Sequence, residues 1–284
     1  MKEHFSKILA CPECKGDLTF KKNNECYCRS CNKSYKSLSH AIDFLQNQSS
    51  VLGRKKSAYS LEFNHFVRKI YKKIKPSSTF KTKESKVRII NLLKSVPPEE
   101  FSINIGSGRT NYSPEMVNID IEFSENVDII ADARSLPIKA GTISLAVSQA
   151  VLEHTPDTKG NINEITRVLK SGGVLYIEVP FMQTYHAHPH DYFRFTHHGL
   201  KSYLSDYNVE VEGIAVGPAS ATALNIRVFL STLFSFGNKK FFLFWVLIFG
   251  WVTYPMKFLD YFMEKNPLSF YGASGIYVIA RKKD

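Results

Sequence analysis

Cys11, Cys14, Cys28 and Cys31 form two pairs, each with two residues between its cysteines, and thirteen residues separate the pairs. A two-residue gap lets both thiolates of a pair face one ion from a tight turn, and a second such turn completes a tetrahedron. The spacing predicts a zinc site. Four thiolates leave no open coordination position, so the predicted role is structural. Cys26 falls on a strand-like piece and is not counted as a ligand. All five cysteines lie within the first 31 residues. That clustering points to a metal site in a reducing compartment rather than a disulfide framework.

A second constellation follows further on. Ile103-Asn104-Ile105-Gly106-Ser107-Gly108 reads as a strand running into a glycine turn, where the backbone must bend sharply and approach a ligand without a Cβ in the way. Asp120 closes the next apolar run, Val117-Asn118-Ile119-Asp120, where a carboxylate can accept both hydrogen bonds of a ribose diol. Asp132 follows a third run, in Ala131-Asp132-Ala133. A dinucleotide site calls for glycine at position 111, which is Asn111, and the chain has no G-K-[ST] phosphate loop. A nucleoside without a phosphate cradle fits better.

Together these blocks resemble the class I S-adenosylmethionine-dependent methyltransferases of the type 11 group. The matching stretches are Asn104 to Gly108, Asn118 to Asp120, Ala131 to Ala133 with Leu136-Pro137, Val151-Leu152-Glu153-His154, and Glu164 to Gly173 leading into a fifth strand. The resemblance spans residues 101–216, closed by 275–283. It implies a seven-stranded sheet with an antiparallel last strand. It also implies S-adenosylmethionine contacts at Gly106, Gly108, Asp120, Asp132 and Ala133, with Gln149 at the end of the fourth strand. Asn104 stands where the family has an acid facing the methionine end. It can still accept a hydrogen bond but brings no charge to the ammonium, which implies weaker binding. Thr110 stands where a third glycine is common. Ile8-Leu9 before the first cysteine pair, and Tyr35 with Ile42 to Leu45 after the second, resemble the small Trm112-like zinc ribbon often attached to such enzymes.

After the fifth strand, the segment from Pro180 to Thr196 holds His186, His188, His190, Asp191 and Arg194. Loops beyond the carboxyl ends of parallel strands line the ligand crevice. Methyl transfer is an in-line displacement at a sulfonium, so the enzyme chiefly positions the acceptor. A hydroxyl acceptor must also lose a proton, and histidine titrates in the right range. His188, His190 and Asp191 are therefore the catalytic candidates. The segment is similar to an H-x-x-D-Y-x-R-x-T stretch in type 11 members that implies action on surface sugars. In the structural alternative, Asp191 and Arg194 form an ion pair and Tyr192, Phe193 and Phe195 are core. A metal set of His186, His188 and His190 fits less well, because Pro189 breaks the alternation. His154 reads as a helix-start residue near the cofactor.

These residues need a scaffold. The apolar fraction of 44% and charged fraction of 22% are those of a globular chain, which excludes a wholly disordered or collagen-like one. Strands over 101–105, 116–121, 127–131, 142–148 and 174–179 are predicted, with helices over 87–93, 162–169 and 197–204. A turn is expected at 170–173 and two last strands at 209–216 and 275–281. That alternation predicts an α/β, Rossmann-like class I methyltransferase sheet covered on both faces. The organisation reads as a zinc ribbon over 1–48, a basic amphipathic helix and linker over 49–85, and the catalytic domain over 86–284. An apolar helical insertion at 224–263 precedes the last strand.

Net charge is +11, and residues 51–88 carry twelve Lys/Arg against two acids, so an anionic neighbour is expected. Residues 241–256 carry no charge at all. Strands 209–216 and 275–281 should be sheet neighbours, which excludes an odd number of membrane crossings. Two crossings would put Arg227 near the bilayer centre, at a cost of about 2.5–3.5 kcal/mol. Attachment to one leaflet is the preferred reading, with Trp245, Trp251 and Tyr254 at the interface and the basic stretch on anionic lipid. The alternative is a buried helical subdomain or dimer interface. Residues 1–10 do not read as a signal peptide, so the expected location is cytoplasmic, peripheral on the inner face of the membrane.

Three functions remain in view. The first is O-methylation of a membrane-proximal glycan or lipid-linked acceptor. The second is an rRNA or tRNA methyltransferase gripping RNA through ribbon and basic stretch, with salt-dependent binding. The third is a non-catalytic scaffold, which need not bind S-adenosylmethionine.

Overall fold

The computed structural model describes residues 3–21, 25–45, 73–77, 79–186 and 190–284. Most of the expected basic helix, and His188, lie outside these residues.

Eleven strands form one sheet in the order β1-β2-β3-β4-β7-β6-β5-β8-β9-β11-β10. Within it, β7-β6-β5-β8-β9-β11-β10 is the expected seven-stranded core: β5 (Phe101–Ile105), β6 (Val117–Asp120), β7 (Ile129–Ile130), β8 (Ile143–Gln149), β9 (Leu169–Pro180), β10 (Tyr207–Val216) and β11 (Gly275–Lys282). The first five run parallel, and β11 is antiparallel to both β9 and β10. Six consecutive residues of β8 are buried, as in a strand covered on both faces.

The strand count exceeds seven because the cysteine-rich segment joins the sheet. Its strands β1 (Leu18–Phe20), β2 (Cys26–Cys28), β3 (Lys33–Leu38) and β4 (Ala41–Asp43) form an antiparallel meander. The last of them runs parallel to β7, with Ile42 N donating to Asp128 O at 3.1 Å and Phe44 N to Ile130 O at 2.9 Å. Phe5, Ile8, Leu9, Tyr35, Ile42 and Phe44 belong to the same buried cluster as Ile103, Ile119 and Ile177. The exposed edge that β7 would otherwise present is thereby paired.

Helices α1 (Lys83–Ser95), α2 (Thr158–Val168) and α3 (His197–Lys201) flank the sheet. Side-chain caps start all three: Thr82, Asp157 and Thr196 accept from the backbone N–H of Ser85, Gly160 and Gly199. Ile89 of α1 packs against Leu145, Val147 and Tyr277, while Ile162 and Ile165 of α2 pack on the opposite face.

The links between β5 and β6 and between β6 and β7, for which no helix was predicted, are made by turns and bends alone. Eleven residues, 106–116, carry the first return, and its sequence is rich in Gly, Asn, Ser and Pro, which favour turns. Residues 170–173 are not a separate turn. They lie within β9, whose register jumps so that Leu169 faces Ile143 and Val174 faces Leu145, with Gly172 at φ +70 in the bulge.

Between β10 and β11 the chain forms α4 (Pro218–Leu233), α5 (Lys239–Thr253), a 3-10 turn Tyr254–Leu259, the short α6 (Asp260–Met263) and a second 3-10 turn Pro267–Gly272. The N-terminus of α4 has no side-chain cap of its own. Buried Asp260 supplies it from below, accepting from Ala219 N at 2.8 Å and Ser220 N at 2.9 Å.

Candidate active site

The strand order reverses between β5 and β8, so the crevice beyond their carboxyl ends is the place where this fold binds ligands. The glycine turn leaves β5 there. Gly106 has φ +66 and Gly108 φ +53, both in the left-handed region. A Cβ on Gly106 would lie 2.2 Å from Val151 Cγ2, so the segment after β8 closes directly against the turn. Asp120 sits at the end of β6 and accepts Gly108 N at 2.7 Å through one oxygen and Glu122 N at 2.8 Å through the other. Asn104 is buried, and its amide donates to Thr110 O at 3.3 Å and Asn118 Oδ1 at 3.2 Å. An acid could not donate these bonds, which gives the asparagine a physical reason. Ser107 Oγ and Ser148 Oγ, at the ends of β5 and β8, are buried with no hydrogen-bond partner among the described residues. Their orphaned hydroxyls, the turn and the acid fit a nucleoside-bearing cofactor of the S-adenosylmethionine kind. No sequence signal had marked the two serines.

Asp132, just after β7, forms a fork with Arg134, whose Nη2 is 2.6 Å from Oδ2. Together with Ala131 and Asp157 they line a cleft of about 480 Å³ whose far wall is Glu13 and Phe44 of the cysteine-rich segment. Ala133 follows, half-buried. Gln149, expected at the cofactor, ends β8. Its side chain is bonded to the Tyr112 hydroxyl and donates to Glu178 Oε2 at 2.5 Å, in the network that also holds Lys81. Ala150 follows in the left-handed region at φ +53, a strained conformation for a residue with a Cβ.

The histidine-rich segment is organised by an ion pair. Asp191 accepts both Arg194 Nη1 and Nη2 at 2.6 Å and the His186 N–H at 2.7 Å, and its carboxylate is almost wholly buried. Burial alone would raise its pKa, but Arg194 and the His186 N–H outweigh that and hold it below the usual carboxylate range. The Asp191–Arg194 ion pair of the structural alternative is therefore formed, and it positions the backbone of His186. His190 gives its carbonyl to His154 Nδ1 at 2.6 Å, and its ring lies 5.7 Å from that of Tyr192.

The imidazoles that do converge are those of His154 and His186, on either side of Glu153. Glu153 Oε1 is 3.8 Å from His154 Nε2 and 3.7 Å from His186 Nε2. Glu153 is fully buried, and neither oxygen has a hydrogen-bond partner among the described residues. Burial opposes a charge on His186, yet Glu153, the Thr184 carbonyl and Asp191 raise its pKa above the ordinary histidine value. Sequence reasoning passed over Glu153. The only signal was an acid next to a histidine just after the fourth core strand.

At the other end of the sheet, the Sγ atoms of Cys11, Cys14, Cys28 and Cys31 all lie within 4.8 Å of one another. Cys11 to Cys31 is 3.5 Å and Cys14 to Cys28 is 3.4 Å, close to the ~3.8 Å edge of a tetrahedron built on Zn–S bonds of about 2.3 Å. Tyr35 Oη lies 3.2 Å from Cys11 Sγ, the kind of outer hydrogen bond that orients a metal-bound thiolate. Cys26 is buried on β2 and is not part of this group. The donor set fits zinc.

Of the insertion's cations, Arg227 and Lys257 turn inward, while Lys239 and Lys240 are exposed. Lys257 is buried, with Nζ donating to Ser77 O at 3.0 Å and lying 4.0 Å from the centroid of Tyr254. Arg227 is also buried, its Cδ 3.5 Å from where a Cβ on Gly250 would stand. Outward face Phe229, Phe236, Phe241, Phe244, Trp251 and Phe262, of which Phe236 and Phe262 are 85% and 78% exposed. The run Lys239–Met263 is long and apolar enough to cross a membrane by length and composition. Its regular part, the 15 residues of α5, rises only about 22 Å against a hydrocarbon core of about 30 Å.

Residues 109–177 match a family model described as a methyltransferase domain, of the type 11 group. The strand order, the glycine turn with its acid and this match define the chain as an enzyme carrying a class I S-adenosylmethionine-dependent methyltransferase domain. No curated protein matches the chain. Solved structures match in fold at low identity. A putative methyltransferase from Bacillus halodurans is 13% identical, covering 70% of this chain and 100% of that one at TM-score 0.44. Coclaurine N-methyltransferase with N-methylheliamine and SAH is 12% identical, covering 84% and 86% at TM-score 0.46. The Haloferax volcanii complex of the Trm112 activator with a putative methyltransferase is 14% identical, covering 71% and 93% at TM-score 0.38.

Proposed function

We propose that the protein O-methylates a hydroxyl of a glycan or lipid-linked acceptor held at an anionic membrane surface. The observation that carries the reading is the pair of imidazoles around a buried carboxylate beside the crevice. When bound, S-adenosylmethionine supplies a sulfonium methyl that an acceptor oxygen takes in one in-line step, forming a C–O bond as the C–S bond breaks and leaving the hydroxyl proton for a protein base. Gly106, Gly108, Asp120, Asp132 and Ala133 would hold the nucleoside, with Asn104 near the methionine end. His154 and His186, steadied by Glu153 and by the Asp191–Arg194 pair, would receive the proton; His190 follows four residues after His186, and His188 lies outside the described residues. Zinc on Cys11, Cys14, Cys28 and Cys31 would keep the ribbon rigid.

The membrane part of the reading is supported by the outward aromatic face and by the inward turn of Arg227 and Lys257. An interfacial helix buries such a face into one leaflet. Tritium from methyl-labelled S-adenosylmethionine should appear in glycolipid or polysaccharide as an alkali-stable ether. Label confined to RNA would instead establish the nucleic-acid reading and discard this one. Full-length protein should float with anionic liposomes, and a Phe241→Ser, Phe244→Ser, Trp251→Ser variant should stay in the pellet fraction.

A further inference from the structure

The buried carboxylate at the crevice poses a physical problem. Glu153 is 0% exposed and has no hydrogen bond to either oxygen among the described residues. A buried charge is strongly disfavoured unless it is paired or bound to a metal. The two imidazoles facing it are 3.7 and 3.8 Å away, beyond the ~3.2 Å limit of a good hydrogen bond. The gap is too wide for a contact pair and of the right order for an ion between the groups. Ligand atoms on a tetrahedral ion with bonds of about 2.1 Å stand ~3.4 Å apart, so a closure of a few tenths of an ångström would suffice. The three ligand atoms all lie within 4.8 Å of one another.

Both rings are also set for it. His154 Nδ1 donates to His190 O at 2.6 Å, and His186 Nδ1 donates to Thr184 O at 3.1 Å. Each bond fixes the tautomer and leaves the Nε2 lone pair directed at Glu153. A backbone carbonyl on the far ring nitrogen is the usual companion of a metal-bound histidine. Arg194 Nη2, 3.2 Å from His186 Nδ1, has Thr184 O and Asp191 as its own acceptors.

We propose that Glu153, His154 and His186 hold a first-row divalent metal ion, separate from the four-cysteine site, with coordination positions left open for an acceptor hydroxyl. Two imidazole nitrogens and one carboxylate oxygen suit zinc, cobalt, iron or manganese. Three ligands leave the fourth position to a water or substrate oxygen, whose proton the ion would acidify and release to solvent, His154 and His186 then serving as ligands in place of bases. The elements support the geometry: Glu153 and His154 share a 3-10 turn clamped to Gly106 through Val151, and Asp191 fixes the backbone of His186. The acceptor role rests on the methyl-transfer reading above; the ion site does not.

The test is a Co2+ titration of the full-length protein after dialysis against a chelator too weak to empty four thiolates. Wild type should take up one equivalent beyond the cysteine site, with weak visible bands and no thiolate charge-transfer absorption. Glu153→Gln and His186→Ala should lose that equivalent. His186 is partly exposed, so its truncation guards against a Glu153→Gln variant that fails to fold, and zinc retained by the ribbon through the dialysis, with an unchanged far-UV spectrum, reports an intact fold. No extra equivalent in wild type, or undiminished uptake in both variants, leaves only a histidine–glutamate pair and overturns the proposal. Ion uptake without methyl ether formation would overturn the acceptor reading alone. Full ether formation by wild type without the extra ion would overturn the ion alone.

Discussion

At Gly106 two constraints coincide. Its φ of +66 disfavours any side chain, and its missing Cβ is the space that Val151 fills. Gly106→Ala should cost about 2–4 kcal/mol, from the left-handed backbone and the overpacked methyl together. A lowered urea midpoint with lost cofactor binding is expected; an unchanged midpoint contradicts the packing argument. Asp120→Asn tests the neighbouring acid without changing its size. With Asp120 on the ribose diol as proposed, removing its charge should weaken S-adenosylmethionine by roughly 10- to 100-fold in calorimetry. The cysteine set was plain from spacing because metal geometry dictates it. Glu153 was not, because its meaning depends on His186, which lies 33 positions away and is delivered by another loop.

Elements differ in how far their own residues define them. Helices α1, α2 and α3 carry their own caps, and β8 carries its own buried run, so their sequences announce them. Helix α4 does not; its start depends on Asp260, forty residues on. Asp260→Ala should cost about 1–2 kcal/mol, the upper range for a lost cap because the site is buried. The variant should melt earlier and be cut faster by protease within the insertion; equal melting temperatures would mean the cap contributes nothing. The 106–116 return shows the opposite limit. No helix was expected there, and the turn-forming residues between Gly106 and Pro114 carry the return alone.

Across the whole molecule the cysteine-rich segment is a wall of the catalytic unit, not an appendage. Glu164 of α2 ties them: it accepts from Arg167 and Leu136 N, and from Lys15 at 3.1 Å. Burial opposes the charge, but Arg167 and Lys15 outweigh it and hold the Glu164 pKa below its ordinary value. A depressed pKa stabilises the fold above the unfolded value of about 4.3, and that gain is lost as pH falls through the folded value. Glu164→Gln should therefore cost about 1–2 kcal/mol at pH 7, with the gap to wild type closing below about pH 4 in chemical denaturation. Metal removal should act at the same seam. Stripping the four-cysteine site, or Cys14→Ser with Cys28→Ser, should lower the melting temperature and weaken S-adenosylmethionine severalfold, since Phe44 and Glu13 wall the Asp132 cleft. Unaltered cofactor affinity in the stripped protein would make the ribbon thermodynamically independent.

By itself the sequence determined the parts whose meaning is local. Cysteine spacing marked a metal site, glycine and acid at strand ends marked a methyltransferase crevice, and periodic burial marked the seven core strands. Only the tertiary structure decided the rest. It joined β4 to β7, enlarging the sheet to eleven strands. It locked Asp191 onto Arg194 and turned Arg227 and Lys257 inward, and it closed Glu153 between two histidines. The reason is that these relations are contacts between residues distant along the chain. Whether a carboxylate is a base, a strut or a ligand depends on what folding brings within about 4 Å of it.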